Sequence, residues 1–180
     1  KKIFLILSVL ICSFSVFDKN IYKLHFKSLD KGDIDMSSYK GRKILIVVFD
    51  AGNPDREQLR SLDTLYRQIA TYLAVIAVPA DDFNTAMSPG SLIKLLRDSL
   101  GLSYPITEIS KTRKDKGNSQ HALLQWLTSK DNNQHFDDDI AEQGQMYVVS
   151  ETGILYASFK KNVTPAGKVL KEVLGRKIKE

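Results

Sequence analysis

The feature that most constrains this chain is an apolar strand joined to an amphipathic helix by a short turn. Residues 44–49 form an unbroken apolar run, which is typical of a strand buried on both faces. Residues 50–54 contain Asp, Gly, Asn and Pro, which favour a turn. Apolar residues then recur at helical spacing over 59–73, and a second apolar run covers 73–80. This strand–helix–strand unit predicts a parallel pair of strands with a right-handed crossover.

The turn also sets the expected start of the helix. Asn is a favoured N-cap residue and Pro is favoured at the first helical position, so Asn53 and Pro54 are predicted to open the helix. Asp55 and Glu57 then place negative charge at the positive end of the helix dipole. We therefore expect Asn53 to cap the helix.

The remaining elements follow from the same patterns. Short apolar or alternating runs predict strands at residues 21–26, 146–150 and 154–159. Longer segments predict helices at residues 91–100 and 119–129. A final helix is predicted to begin with Pro165 at its first position. The order β, β, α, β, α, β, α, β, β, α predicts an α/β fold with a parallel central pair and an antiparallel hairpin at one edge.

Charge limits the classes of partner. The chain has 180 residues and a formal net charge of +5. Two of the positive charges, Lys1 and Lys2, belong to the N-terminal leader, and most other basic residues are interspersed with acids. Such a balance is too weak to indicate nucleic-acid binding. No protein or small-molecule partner can be named from composition.

The N-terminus has the pattern of an export signal. Lys1 and Lys2 precede a mostly apolar run at residues 3–17, which is short for a membrane span but suits a signal peptide. We expect a signal peptide at 1–17, a single domain at 18–180, and a periplasmic or secreted location. Cys12, the only cysteine, lies in this leader. It is either one more apolar residue of the signal peptide or a lipidation site that would anchor the chain to a membrane.

Eight short segments share a characteristic order and spacing, at residues 21–26, 38–47, 62–66, 78–83, 89–91, 104–106, 121–127 and 147–153. Together they resemble the glutathione peroxidase family of the thioredoxin fold. The resemblance spans about residues 20–175 and implies a thioredoxin-like three-layer sandwich with a mixed central sheet. It also implies peroxide reduction by a cysteine or selenocysteine at the start of the first long helix, where a helix N-terminus stabilises a thiolate.

The catalytic residues of that family are replaced in this chain. The positions that match its active site hold Asn53, Asp82, Glu142 and Gln143. Without a thiolate no nucleophile attacks a peroxide, so the chain is expected to be a non-catalytic binding or structural module without a cofactor. The alternatives are a peroxide-reducing or thiol-redox enzyme of the family, or carboxylate chemistry in the former active site.

The oxygen-bearing side chains at those four positions suggest one metal hypothesis. Asp82 and Glu142 would supply carboxylates of the kind that Ca²⁺ or Mg²⁺ prefers. The histidines His25, His121 and His135 show no spacing typical of a metal site, and His121 is expected to have a structural role near a helix start.

Overall fold

The computed structural model describes residues 20–176. The predicted leader at residues 1–17, with Cys12, lies outside the described residues. The strands are β1 (His25–Lys27), β2 (Asp33–Asp35), β3 (Lys43–Asp50), β4 (Leu73–Ala80), β5 (Met146–Val149) and β6 (Leu155–Phe159). The α-helices are α1 (Arg56–Ile69), α2 (Pro89–Ile93), α3 (Ala122–Thr128), α4 (Lys130–Asn133) and α5 (Lys168–Gly175). A π-helical segment, Lys94–Ser99, continues α2.

The central sheet has the strand order β4-β3-β5-β6. Strand β3 pairs in parallel with β4 over its whole length and antiparallel with β5 on its other side. Strands β5 and β6 form the antiparallel hairpin at the edge. The predicted parallel pair, the terminal hairpin and the mixed sheet are therefore confirmed.

Helices cover both faces of this sheet. Alternate residues of β3 enter two separate cores, with Ile44 and Ile46 on one face and Leu45 and Val47 on the other. The first face packs against α3, and the second packs against α1, α2 and α5. The result is a three-layer α/β sandwich, as the resemblance to the thioredoxin fold implies. A sheet that is apolar on both faces needs cover on both.

The β1–β2 hairpin extends the sheet beyond β4. An extended segment around Ile106 bridges to Ala77 of β4, and its neighbour Thr107 bridges to Ser28. The backbone N–H of Leu29 donates to the carbonyl of Ile106 at 3.0 Å. These contacts pair the outer edge of β4, which would otherwise present unpaired backbone groups.

The start of the described chain departs from the predicted strand at 21–26. Ile21–Lys23 is a 3₁₀ turn, and only His25–Lys27 is a strand. The Asn20 side chain accepts a hydrogen bond from the Tyr22 backbone N–H at 3.0 Å. Ile21 and Tyr22 are both buried, which a half-buried strand would not allow, because its successive side chains face opposite sides.

The predicted helix at 119–129 is shortened at its start. A 3₁₀ turn, Lys114–Ser119, precedes an extended Gln120, and α3 begins only after His121. The backbone N–H of His121 donates to the carbonyl of Lys111 at 2.8 Å. This long-range pairing holds the chain extended where the apolar pattern predicts a helix.

The final helix begins later than predicted, because Pro165 lies in a turn and not at the first helical position. The Gly167 N–H donates to the Thr164 carbonyl at 2.9 Å, which places Pro165 at the second position of a four-residue turn. Proline is favoured there because its fixed φ suits such turns. Helix α5 then starts with Gly167 as its N-cap.

Within residues 20–176, no helix combines the length and the apolar character that crossing a bilayer requires.

Replacing Leu62 of α1 by alanine tests the packing between α1 and the sheet. Leu62 is fully buried, so Leu62→Ala should lower the free energy of unfolding by about 2–5 kcal/mol through lost burial and the cavity left behind. Urea denaturation measures this change. Tyr72→Ala is the control, since Tyr72 is 76% exposed, and its effect should stay within about 0.5 kcal/mol. Equal decreases in the free energy of unfolding for the two variants would contradict the packing of Leu62 against the sheet.

His121 should make the fold sensitive to mild acid. Burial lowers the pKa of His121 to about 4, below its ordinary value. The unfolded chain therefore binds a proton that the folded chain excludes, and stability should fall as the pH drops from about 6.5 to about 4, by up to about 3 kcal/mol. Thermal melts across this range measure the effect. His121→Asn preserves the helix cap without a titrating ring, so this variant should lose that part of the pH dependence.

Candidate functional site at the turn between β3 and α1

The turn after β3 is organised by a buried carboxylate. Asp50, the last residue of β3, is fully buried. One carboxylate oxygen accepts a hydrogen bond from the Gly52 backbone N–H at 2.8 Å, and the other accepts from the Asn84 side-chain amide. A buried carboxylate is costly unless it is hydrogen-bonded, so these two donors stabilise the turn and link it to the loop that follows β4.

The loop after β4 closes over this turn. A Cβ added at Gly52 would lie 2.4 Å from the Thr85 carbonyl oxygen, so no larger residue fits. The Met87 N–H also donates to the Ala51 carbonyl at 3.2 Å. The turn is therefore packed against the loop after β4 at Ala51 and Gly52, whereas Asn53 remains exposed.

Asp55, and not Asn53, caps α1. The Asp55 side chain accepts a hydrogen bond from the Gln58 backbone N–H at 3.1 Å, and the helix begins at Arg56. Asn53 lies in the turn and is exposed, while Pro54 precedes the cap. The predicted cap at Asn53 and first helical position at Pro54 are wrong. Asp55 followed three residues later by Gln58 is a capping-box spacing, and this signal in the sequence could have identified the true start.

Gln58 joins the helix start to the loop before β5. Its side-chain Nε2 donates to the Gly144 carbonyl at 2.9 Å, although a capping box would direct this side chain back to the cap. Gln58 is 7% exposed, and its Oε1 is buried without a hydrogen-bond partner in the described part of the chain. Sequence reasoning did not single out Gln58, because its partner lies 86 residues away.

A cleft of about 220 Å³ opens beside this helix start. The first turns of α1 contribute Asp55, Glu57 and Gln58, and the loop after β6 contributes Lys161 and Thr164. The cleft thus carries acidic, basic and amide side chains together. Such a lining suits binding of a polar ligand, and it offers no nucleophilic thiol.

Asp82, one of the four predicted site residues, stabilises a loop. Its carboxylate accepts hydrogen bonds from the Thr112 N–H at 2.7 Å, the Thr112 hydroxyl at 2.8 Å and the Arg113 N–H at 2.9 Å. Burial raises the pKa of Asp82, but these hydrogen bonds outweigh it and leave the pKa below its ordinary value. The carboxylate therefore stays charged at neutral pH and is already occupied.

Glu142 is engaged with a different segment. Its carboxylate accepts a hydrogen bond from the Lys161 backbone N–H at 3.1 Å. Neighbouring Gln143 has a buried Oε1 without a partner among the described residues. None of Asn53, Asp82, Glu142 and Gln143 lines the cleft beside α1. Among residues 20–176, no group of three or more His, Cys, Asp and Glu side chains could hold a metal ion, and the cation site at Asp82 and Glu142 stays a prediction.

Comparison with solved structures identifies the fold as thioredoxin-like. The crystal structure of T. cruzi GPX1 matches with a TM-score of 0.64 and 16% identity, covering 86% of this chain and 94% of that one. A thiol:disulfide interchange protein of the thioredoxin family from Chlorobium tepidum matches with a TM-score of 0.61 and 14% identity, covering 84% of this chain and 93% of that one. A DsbF homologue from Corynebacterium diphtheriae matches with a TM-score of 0.60 and 13% identity, covering 83% and 82%. No family model and no curated protein sequence matches the chain.

Substituting Gly144 tests the contact between the helix start and the loop before β5. Gly144 has a φ of +84°, and an added Cβ would lie 3.0 Å from Gln58 Oε1 and 3.1 Å from Lys161 Cγ. Gly101 has a φ of +66° with nothing near its Cβ position, so Gly101→Ala isolates the cost of the backbone conformation, about 1–2 kcal/mol. Gly144→Ala should cost about 1 kcal/mol more, because Gln58 and Lys161 must also move. Urea denaturation measures the free energy of unfolding of both variants. Equal decreases would mean that the close contact of Gly144 with Gln58 and Lys161 adds no cost.

Proposed function

We propose that this chain is an exported, non-catalytic binding module built on a thioredoxin-like fold. The observation that carries the proposal is the turn between β3 and α1, which holds Asn53 in place of a thiol and uses its buried polar groups to maintain the fold. The Asp50 carboxylate accepts hydrogen bonds from Gly52 and Asn84, Gly52 packs against the loop after β4, and Asp55 caps the helix. In the family that the sequence resembles, a reactive thiol or selenol would stand at this position. Here that position holds Asn53, whose amide is not a nucleophile, and the neighbouring Asp50 and Asp55 accept hydrogen bonds that maintain the fold.

The cleft beside α1 is the binding surface that this function would use. Gln58 contributes a buried oxygen without a partner in the described chain, and Asp55, Glu57 and Lys161 contribute charge. A binding module needs a concave surface with a few placed polar groups and does not need a nucleophile. The fold alone does not decide the activity, because one fold can carry many functions.

Export is the second part of the proposal. It rests on the sequence pattern of residues 1–17, a positive start followed by a short apolar run. In an oxidising compartment a domain with no cysteine of its own forms no disulfide and suffers no thiol oxidation. Such a domain would carry no thiol that reacts with peroxides or disulfides.

Redox assays on the full chain and on Cys12→Ser test the absence of catalysis. With hydrogen peroxide as oxidant and glutathione or thioredoxin as reductant, both proteins should show rates equal to a heat-killed control, because no thiolate is available within the domain. A disulfide-reduction assay should give the same result. Turnover by the full chain that Cys12→Ser abolishes would overturn the proposal, as would turnover that persists in the variant.

A further inference from the structure

The loop after β4 carries a methionine, Met87, that differs from the other two methionines of the chain in its exposure. All three methionines lie within the described residues 20–176. Met36 and Met146 are 0% exposed, whereas Met87 is half-buried and packs against the core that α1 and α2 cover. The only cysteine, Cys12, belongs to the predicted leader. Within residues 20–176, Met87 is therefore the one sulfur-bearing residue with surface open to solvent.

Backbone contacts join Met87 to the turn between β3 and α1. The Met87 N–H donates a hydrogen bond to the Ala51 carbonyl at 3.2 Å. In the same loop, the Thr85 carbonyl oxygen lies only 2.4 Å from the position that a Cβ on Gly52 would take. Residues 85–88 form neither helix nor strand, so few backbone hydrogen bonds hold this segment in place. Such a segment opens at a lower free-energy cost than the strands beneath it.

A methionine thioether reacts with hydrogen peroxide without a catalytic thiol. A lone pair of the sulfur attacks one peroxide oxygen, so an S–O bond forms while the O–O bond breaks. The sulfur loses an electron pair, and the second peroxide oxygen leaves as hydroxide and takes up the proton of the transferred oxygen, giving water. The product, methionine sulfoxide, is polar where the thioether was apolar. Because a polar oxygen is costly to bury without a hydrogen-bond donor, the oxidised side chain favours water over the core.

We propose that Met87 is a site of modification by hydrogen peroxide, and that its sulfoxide releases the loop after β4 from the turn between β3 and α1. Withdrawal of the oxidised side chain from the core moves the Met87 backbone away from the Ala51 carbonyl and Thr85 away from Gly52. Each chain consumes one peroxide in this step, so the reaction is stoichiometric and does not depend on the proposed binding function. The turn thereby responds to peroxide although the domain has no thiol.

Peptide mapping of the full chain after exposure to hydrogen peroxide tests the modification. Trypsin cleaves after Lys and Arg, so the three methionines fall in separate peptides, at residues 32–40, 68–94 and 131–160. In the folded chain, Met87 should gain an oxygen atom at least about tenfold faster than Met36 or Met146, because buried methionines react only when the fold opens. In concentrated urea the three rates should be similar. Similar rates in the folded chain, or an unmodified Met87, would overturn the proposal.

Amide hydrogen exchange, followed by NMR, tests the release of the loop. In the oxidised chain the Met87 N–H should exchange at least about tenfold faster than in the untreated chain, because its hydrogen bond to Ala51 is weakened. The Ile46 N–H should keep its rate, since β3 is paired on both sides. Treatment with a methionine sulfoxide reductase and its thiol reductant should restore slow exchange at Met87. Unchanged exchange of the Met87 N–H after oxidation would reject the release of the loop.

Two variants at this position separate oxidation of Met87 from other effects of peroxide. Met87→Leu keeps a similar apolar volume without sulfur, so peroxide should leave its loop exchange unchanged. Met87→Gln places a polar side chain of similar length there and should speed loop exchange without peroxide. Met36→Leu is the matched control, since Met36 is fully buried, and it should respond to peroxide as the unmodified chain does. Release of the loop by peroxide in Met87→Leu would assign the effect to another residue and overturn the proposal.

Discussion

The structure depends on the double pairing of strand β3. Its backbone is hydrogen-bonded to β4 on one side and to β5 on the other, and all eight of its residues are buried. Its side chains alternate between the two cores, so both helical layers pack on this one strand. Because the strand is fixed on both edges and both faces, the position of its carboxyl end is also fixed. The turn that follows β3 therefore begins from a fixed position.

At that carboxyl end, hydrogen bonds within the fold determine which polar side chains remain without a partner. Asp50 is buried, and its carboxylate accepts hydrogen bonds from Gly52 and Asn84. The Asp55 carboxylate accepts a hydrogen bond from the first turn of α1. Carboxylates that accept internal hydrogen bonds stabilise the fold and are less available to a ligand. Gln58 differs, since only its amide nitrogen is engaged. This contrast leaves the Gln58 side-chain oxygen, beside the helix start, without a hydrogen-bond partner among the described residues.

Much of the fold could be predicted from the sequence because its signals are local. The apolar runs of β3 and β4 and the helical spacing of α1 report burial directly, and these predictions are confirmed. The helix starts that were predicted wrongly depend on distant partners or on competing local signals. Asn53 has the right residue type for a cap, but Asp55 has the matching Gln58 three residues later, and the chain extends at Gln120 because it pairs with Lys111. Pro165 suits a turn as well as a helix start.

The sequence by itself determined the parallel central pair and the antiparallel hairpin and excluded a thiol from residues 20–176, because strand and helix periods and the position of the one cysteine are properties of the chain. Only the tertiary structure decided which polar side chains are free. Asp82 and Glu142 look like ligands in the sequence, yet they accept hydrogen bonds from the backbone at Thr112 and Lys161. His121 looks merely structural, yet its ring keeps an unpaired donor beside a cleft. Hydrogen-bond satisfaction depends on distant neighbours, and sequence patterns do not record those neighbours.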